Sequence, residues 1–342
     1  MSELSYATSL CLMTAMLTLT LIAIPVHADT APFESREIVA PGPNGELAGT
    51  LLLPSHANPP FNTVLILPGS GPTDRDGNNP GSLKASSYRL LAEGLAERGV
   101  ASVRVDKRGL GESSAAGDAN QVTFKLYVDD VVSWLGVIAD MPQLTGDVWL
   151  VGHSEGAMIA TVAAGRELDQ VRALVMLAAP GRTLGVVLRE QLASNPANVP
   201  VLAEAFAAIE MLERNEPVDP ETLHPGLRPL FNVSTQHYLG EMIRFDPAAA
   251  LRELGERDDP LPVLIVHGMR DIQVSSEDAR ALAQARPDAE LVMIADMNHV
   301  LKSVSSDDRG ANLATYSNPE LPLVQNVVDS VADFIDNTGI PH

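Results

Sequence analysis

Residues 148–160, VWLVGHSEGAMIA, decide the fold of this chain. The apolar run 148–151 predicts a buried strand, and the residues after Gly156 predict a helix. Between them lies the pattern G-x-S-x-G, with Ser154 at the turn. A sharp strand-to-helix turn strains the serine backbone and leaves no room for side chains two residues away, hence Gly152 and Gly156. The turn lifts the Ser154 hydroxyl off the sheet at a helix N-terminus, where negative charge is favoured.

Short apolar runs alternate with amphipathic stretches on both sides of this motif. Short strands that are apolar on both faces are typical of a parallel sheet covered by helices. The predicted strands are 63–67, 101–105, 148–151, 173–177, 263–266 and 291–294, and the predicted helices are 88–98, 122–140, 277–286 and 321–335. The segments 36–40 and 46–53 flank a Pro-Gly-Pro-Asn-Gly turn and predict a hairpin. The alternation predicts an α/β fold with a mostly parallel, doubly wound sheet.

Residues 183–259 interrupt this alternation. They contain helical stretches separated by prolines and no convincing strand. We interpret them as a helical cap inserted between two core strands, and a long core connection is the alternative. The predicted organisation is therefore a core formed by 29–182 and 260–342, with the cap between the two parts.

The N-terminal segment has its own pattern. Residues 9–25 are apolar and almost uncharged, and Val26-His27-Ala28 places small residues at the −3 and −1 positions of a cleavage site. This predicts a signal peptide over residues 1–28 and an exported mature chain, periplasmic or secreted. An uncleaved membrane anchor is the alternative, because the first residues carry Glu3 and no Lys or Arg. The only cysteine, Cys11, lies in this segment, which excludes disulfides, cysteine nucleophiles and Cys-ligated zinc from the mature chain.

The charge balance excludes several classes of partner. The chain has 44 acidic and 23 basic residues, a formal net charge of −21. Such a surface repels phosphate backbones and anionic lipids, so we expect no nucleic-acid partner and no stable membrane association after signal cleavage. Aromatic residues make up only 4% of the chain, too few for a platform that stacks single-stranded bases. The sequence leaves the oligomeric state open.

The G-x-S-x-G motif, in its strand–turn–helix setting, resembles the α/β-hydrolase superfamily. Further motifs are similar to a group of bacterial serine esterases related to serine aminopeptidase-like hydrolases. These motifs are LPGSGPTDRDGNN (67–79), RVDKRGLGESS (104–114), GHSEG (152–156), Phe245-Asp246-Pro247, PVLIVHGMRDIQV (262–274) and DMNHVLK (296–302). The resemblance implies an α/β-hydrolase fold and hydrolysis of short acyl esters.

The superfamily resemblance implies that the catalytic residues follow in the order Ser, acid, His. His299 lies in a loop after the last predicted strand, whereas the other histidines after Ser154 lie in the insertion, at a strand end or at the C-terminus (His224, His237, His267 and His342). Asp271 follows the strand 263–266 at its carboxyl end. Asp258 and Asp259 precede that strand, and Asp296 lies at the wrong end of the histidine loop. We therefore predict a catalytic set of Ser154, Asp271 and His299.

The tetrahedral oxyanion of such a reaction needs two preorganised N–H donors. We expect the amide of Glu155, the residue after the nucleophile, to supply one. We expect the amide of Ser70 to supply the other, with Gly71 as the alternative. Pro68 departs from the histidine that many superfamily members have before the glycine at position 69, so the second donor stays open.

The loop 104–114 looks like the family's D-x-R-G-x-G-x-S loop, in which Asp106 and Arg108 brace the site by ion pairing.

We predict no metal, because the acidic run at 74–78 lacks the spacing of a calcium loop. We also expect no cofactor. The predicted partner is a small-molecule ester. Two alternatives stay open: a peptidase acting on short peptides and a non-catalytic binding module. For the peptidase, carboxylates of the insertion would bind the substrate amine (Glu204, Glu210 and Glu213). Four residues of the insertion are candidates for an acyl pocket (Phe206, Leu212, Phe231 and Tyr238).

Overall fold

A computed structural model describes residues 32–166 and 168–339 of the chain. The predicted signal peptide, Cys11 and His342 lie outside these residues. These described residues form one compact unit.

An eight-stranded sheet forms the centre of this unit. Its strands are β1 (Phe33–Pro41), β2 (Glu46–Pro54), β3 (Phe61–Leu67), β4 (Ala101–Val105), β5 (Leu144–His153), β6 (Val171–Leu177), β7 (Val263–Gly268) and β8 (Glu290–Ile294). They lie in the order β1-β2-β4-β3-β5-β6-β7-β8. β1 and β2 form the predicted antiparallel hairpin, β2 pairs antiparallel with β4, and the remaining pairs are parallel. The predicted mostly parallel sheet is confirmed.

Helices cover both faces of the sheet and also form the segment between β6 and β7. They are α1 (Ser87–Glu97), α2 (Phe124–Ala139), α3 (Glu155–Ala164), α4 (Leu184–Ala193), α5 (Leu202–Glu213), α6 (Val233–Arg244), α7 (Pro247–Gly255), α8 (Ser276–Ala285), α9 (Arg309–Ala314) and α10 (Gln325–Thr338). One apolar core lies between the sheet, α1 and α10, and includes Ile66 and Leu91. The other lies between the sheet and α2, α3, α7 and α8, and includes Leu65 and Trp134. Ile66 and Leu65 are neighbours on β3 and face opposite cores, which explains why the strands read as continuous apolar runs.

Between β6 and β7 the chain forms α4, α5, α6 and α7. The first three share a small apolar core of their own, which contains Ile209 and Ile243. Helix α7 differs, because its Leu251 and Leu254 pack into the main core. Within the described part of the chain, no helix has the length and apolarity that crossing a membrane requires.

Candidate active site

Ser154 lies at the turn between β5 and α3. Its backbone has φ 54° and ψ −121°, in a region that non-glycine residues rarely occupy. A Cβ atom on Gly152 would lie 2.3 Å from the Cα of Ala157, and one on Gly156 would lie 2.2 Å from the carbonyl oxygen of Leu67. Both contacts are with backbone and cannot be relieved by a side-chain rotation. The structure therefore leaves no room for a side chain at either position, as the sequence predicts.

His299 and Asp271 come together as a hydrogen-bonded pair. His299 Nδ1 lies 2.7 Å from Asp271 Oδ2, and the Asp271 side chain has no exposed surface. The other carboxylate oxygen accepts the backbone N–H groups of Gln273 at 2.7 Å and Val274 at 2.9 Å. Burial by itself raises the pKa of Asp271, but His299 and these backbone donors outweigh it and hold the pKa below its ordinary value.

The ionised Asp271 sets the proton position on the His299 ring. Because a carboxylate only accepts, Nδ1 must carry the hydrogen, and Nε2 keeps its lone pair free to accept a proton. The His299 carbonyl oxygen lies 2.8 Å from Nε2 of His153, the residue before Ser154, and the two rings are 4.8 Å apart. The histidine loop is thus held against the Ser154 turn. Within residues 32–166 and 168–339, no hydrogen bond joins the Ser154 side chain to His299; such bonds often form only when substrate binds.

The rival residues have other surroundings or partners. Asp296 accepts a hydrogen bond from Ser303 at 2.6 Å, and Asp258 and Asp259 are exposed. His237 is on the surface beside Glu241, and His224 is exposed. His267 is fully buried, and its ring nitrogens have no hydrogen-bond partner among the described residues.

The loop after β3 reaches the nucleophile at Gly69, where a Cβ atom would lie 3.3 Å from the Cβ of Ser154. The Gly69 N–H donates to the Tyr88 hydroxyl at 2.9 Å, so it is not free to bind an oxyanion. The next residue, Ser70, is exposed and lines a cavity together with Ser154. Glu155 is the first residue of α3, and its N–H has no partner within the helix. The amides of Ser70 and Glu155, the two expected oxyanion donors, therefore lie beside Ser154.

Tyr88 and His153 form a buried link that sequence reasoning missed. The Tyr88 hydroxyl accepts from Gly69 and lies 2.8 Å from His153 Nδ1, while His153 Nε2 contacts the His299 carbonyl. Since that carbonyl only accepts, His153 carries its hydrogen on Nε2, and Tyr88 donates to Nδ1. Burial lowers the pKa of His153 to about 3, so its ring stays neutral. The only sequence signal was its position before Ser154.

Lys107 was also missed, although the quoted loop 104–114 contains it. Its ammonium donates to the Gly69 carbonyl at 2.8 Å and lies 3.5 Å from Glu155 Oε1. It also lies 5.6 Å from the centre of the Tyr127 ring. Burial lowers the pKa of Lys107, and the Glu155 carboxylate opposes this effect.

Asp106 and Arg108, the two neighbours of Lys107, both form ion pairs, and each pairs with a residue from another segment of the chain. Arg108 Nε lies 3.1 Å from the Asp130 carboxylate on α2. Asp106 pairs with Arg75 at 2.8 Å and also accepts the Arg75 backbone N–H at 2.9 Å. Arg75 belongs to the loop that follows β3, so Asp106 ties together the two loops that flank Ser154.

A cavity of about 630 Å³ opens above Ser154, between the core and the helices α4 and α6. Its wall is mainly apolar and includes Leu110, Val122, Leu184, Val187, Leu188, Leu230, Leu239 and Met242. Polar side chains also line the cavity, among them Lys107, Glu155 and Gln273.

The prediction of which residues form an acyl pocket is only partly correct. Tyr238 lines the cavity, whereas Leu212 and Phe231 are buried in the core shared by α4, α5 and α6, and Phe206 packs against that core. The carboxylates considered for a peptidase have other contacts. Glu204 accepts the His224 backbone N–H, Glu210 pairs with Arg214, and Glu213 pairs with Arg189. Glu155 is the carboxylate that lines the cavity beside Ser154.

No group of three or more His, Cys, Asp or Glu residues within the described ranges is arranged to hold a metal ion. In the acidic run at 74–78, Asp74 Oδ1 accepts the backbone N–H groups of Asp76 at 3.0 Å and Asn78 at 2.8 Å. This oxygen thus stabilises the turn itself.

Comparisons with known proteins agree with this architecture. The model of a family described as "Alpha/beta hydrolase family" matches residues 64–314. Esterase EstD of Thermotoga maritima is 26% identical over 293 residues, which cover 82% of this chain and 63% of that protein. The chain therefore spans less than two thirds of the length of this relative.

Solved structures share the fold at low identity. Est1E from Butyrivibrio proteoclasticus with bound ferulic acid is 18% identical, with a TM-score of 0.56 over 88% of this chain and 98% of that one. The esterase Pf2001 of Pyrococcus furiosus is 16% identical, with a TM-score of 0.51 over 90% of this chain and 94% of that one.

Proposed function

Because the chain belongs to the α/β hydrolase family, we propose that it is a serine hydrolase that cleaves short-chain carboxylic esters through an acyl-enzyme. One observation carries the proposal: a buried Asp271–His299 pair, hydrogen-bonded at 2.7 Å, is held against the strained turn that presents Ser154. A nucleophile, a base and an acid that orients the base are what acyl transfer by a serine requires.

In the proposed reaction the Ser154 hydroxyl attacks the ester carbonyl while its proton passes to Nε2 of His299. Asp271 keeps the imidazole in the required tautomer and stabilises the imidazolium. The negative charge that develops on the carbonyl oxygen is bound by the amides of Ser70 and Glu155, at the N-terminus of α3. His299 then protonates the departing alcohol, and the same groups activate a water molecule that releases the acid.

The cavity supports a small, largely apolar substrate. Its volume of about 630 Å³ is within the range of small-molecule sites, and its apolar wall suits an acyl or alcohol chain. The names of the related proteins support an ester, since EstD and Pf2001 are both esterases.

We also propose that the chain is exported by its N-terminal segment, on the basis of the apolar run and the Val26-His27-Ala28 site.

The test is a series of p-nitrophenyl esters from acetate to dodecanoate, assayed with the wild type and with Ser154→Ala. We expect turnover that favours the short chains and is lost in Ser154→Ala. Ser133→Ala is the matched control and should leave turnover unchanged, because the Ser133 hydroxyl donates to the Pro41 carbonyl near the surface. Aminoacyl p-nitroanilides run in parallel test the peptidase alternative. Turnover of the anilides alone would contradict the ester proposal, and turnover of neither substrate would favour a binding module.

A further inference from the structure

Lys107 contacts both backbone segments that carry the proposed oxyanion donors. Its ammonium donates to the carbonyl of Gly69, which precedes Ser70, at 2.8 Å. The same ammonium lies 3.5 Å from the carboxylate of Glu155, whose own amide is the other donor. The Lys107 side chain is only 6% exposed and the Glu155 side chain 9%, so water screens these contacts little.

The contact with Gly69 determines which way the Ser70 amide points. In a trans peptide unit the C=O of one residue and the N–H of the next are coplanar and point in opposite directions. A donor that holds the Gly69 carbonyl on one side therefore directs the Ser70 N–H to the other side. Tyr88 holds the N–H of the preceding peptide unit at 2.9 Å, so this stretch of loop is fixed at two successive units.

A short loop rich in glycine would not keep this orientation unaided. Gly69 and Gly71 flank Ser70, and Gly71 has a positive φ of 73°. Glycine allows many backbone conformations, so rotation of the 69–70 peptide unit would turn the Ser70 N–H away from the substrate. Preorganised donors are effective because they need not reorient during the reaction.

We propose that Lys107 is a positioning residue that fixes the Gly69–Ser70 peptide unit with the Ser70 N–H directed at the substrate oxyanion, and that the Glu155 carboxylate holds Lys107 in place. This inference rests on the proposed function, because it assumes acyl transfer at Ser154. Lys107 does not take part in proton transfer. It acts on the transition state through the backbone and not on binding of the ground-state ester.

Lys107→Met tests the proposal, since methionine keeps an apolar stem and cannot donate to the Gly69 carbonyl. We expect kcat to fall about 10- to 100-fold, because a misoriented oxyanion donor should cost less than a donor that is removed. KM should change by less than about threefold. The affinity for an alkyl trifluoromethyl ketone, which forms a tetrahedral adduct with the serine, should fall by the same factor as kcat. Lys125→Met is the control, because the Lys125 side chain is 76% exposed and pairs with Asp129 on the surface of α2.

A double variant separates this role from a loss of stability. Lys107→Met leaves a buried carboxylate unpaired, which destabilises a fold. In Lys107→Met/Glu155→Gln that charge is removed, so the melting temperature should recover while kcat and the ketone affinity stay low. Recovery of kcat together with stability would overturn the proposal, as would a single variant whose kcat is unchanged or whose loss is confined to KM. A wild type that turns over no ester refutes the proposed function itself, whereas an active wild type with an equally active Lys107→Met refutes only this inference.

Discussion

Asp271→Asn is a sharp test of how His299 is oriented. In the wild type, Oδ1 of Asp271 accepts two backbone N–H groups and Oδ2 accepts from His299 Nδ1. An asparagine has one oxygen, and the two backbone donors of Gln273 and Val274 require an acceptor. The amide NH₂ must then face His299, which turns Nδ1 into an acceptor and moves the ring proton to Nε2. His299 in that tautomer cannot accept the proton of Ser154.

Asp271→Asn should therefore show a large loss of kcat with an intact fold. The corresponding substitution in a serine protease triad lowers kcat about 10⁴-fold, which is about 5.4 kcal/mol of transition-state stabilisation. The assay is steady-state hydrolysis of p-nitrophenyl acetate at neutral pH, with thermal unfolding measured on the same preparations. Asp258→Asn is the matched control, because Asp258 is exposed and lies before β7. A kcat for Asp271→Asn within tenfold of the wild type would refute the assignment of Asp271.

Three further predictions concern packing, pH and the cavity. Gly156→Ala should fail to give an active fold, because its Cβ would lie 2.2 Å from a backbone oxygen. Gly136→Ala is the control: this site on α2 is exposed and has open space, so alanine should raise the free energy of unfolding in urea by about 0.5–1 kcal/mol. Burial lowers the pKa of His153 from 6.5 to about 3, so unfolding takes up a proton between these values and stability falls as pH decreases. His153→Gln should reduce that dependence by up to about 1.4 kcal/mol per pH unit, measured as unfolding free energy from pH 4 to 7. Val187→Phe narrows the cavity and should lower kcat/KM for octanoate esters more than for acetate, while Val186→Phe, at a side chain 39% exposed, should not. Equal chain-length profiles for the two valine variants, an active Gly156→Ala or an unchanged pH dependence would contradict the respective arguments.

The sequence was informative where one local pattern determines one local structure. The strand 101–105, ASVRV, has the predicted bounds, and all five of its residues are buried. The positions of Asp271 and His299 after β7 and β8 predict that the two side chains meet, and His299 Nδ1 lies 2.7 Å from Asp271 Oδ2. Helix α10 begins at Gln325 and not at 321, because Leu323 pairs with Lys302 and the Val324 N–H donates to the Leu301 carbonyl at 3.0 Å.

The sequence was least informative where contacts link distant backbone atoms. Lys107 reaches the carbonyl of Gly69, 38 residues earlier, and no side-chain pattern marks a backbone acceptor. The inserted helices are apolar on more than one side, and periodicity does not show which side meets the cavity. For this reason Phe231 was expected in the acyl pocket but is buried in the core of α4, α5 and α6, whereas Val187 lines the cavity.

The central claim is that Ser154 is the nucleophile and that His299 activates it. The most direct measurement is intact-protein and peptide mass spectrometry after reaction with an alkyl fluorophosphonate, with the labelling rate followed over time. We predict one adduct per chain, located on Ser154, with labelling slowed at least about 10³-fold in His299→Ala. A protein that hydrolyses esters but carries the adduct on another residue, or one labelled equally fast without the His299 imidazole, would contradict the account.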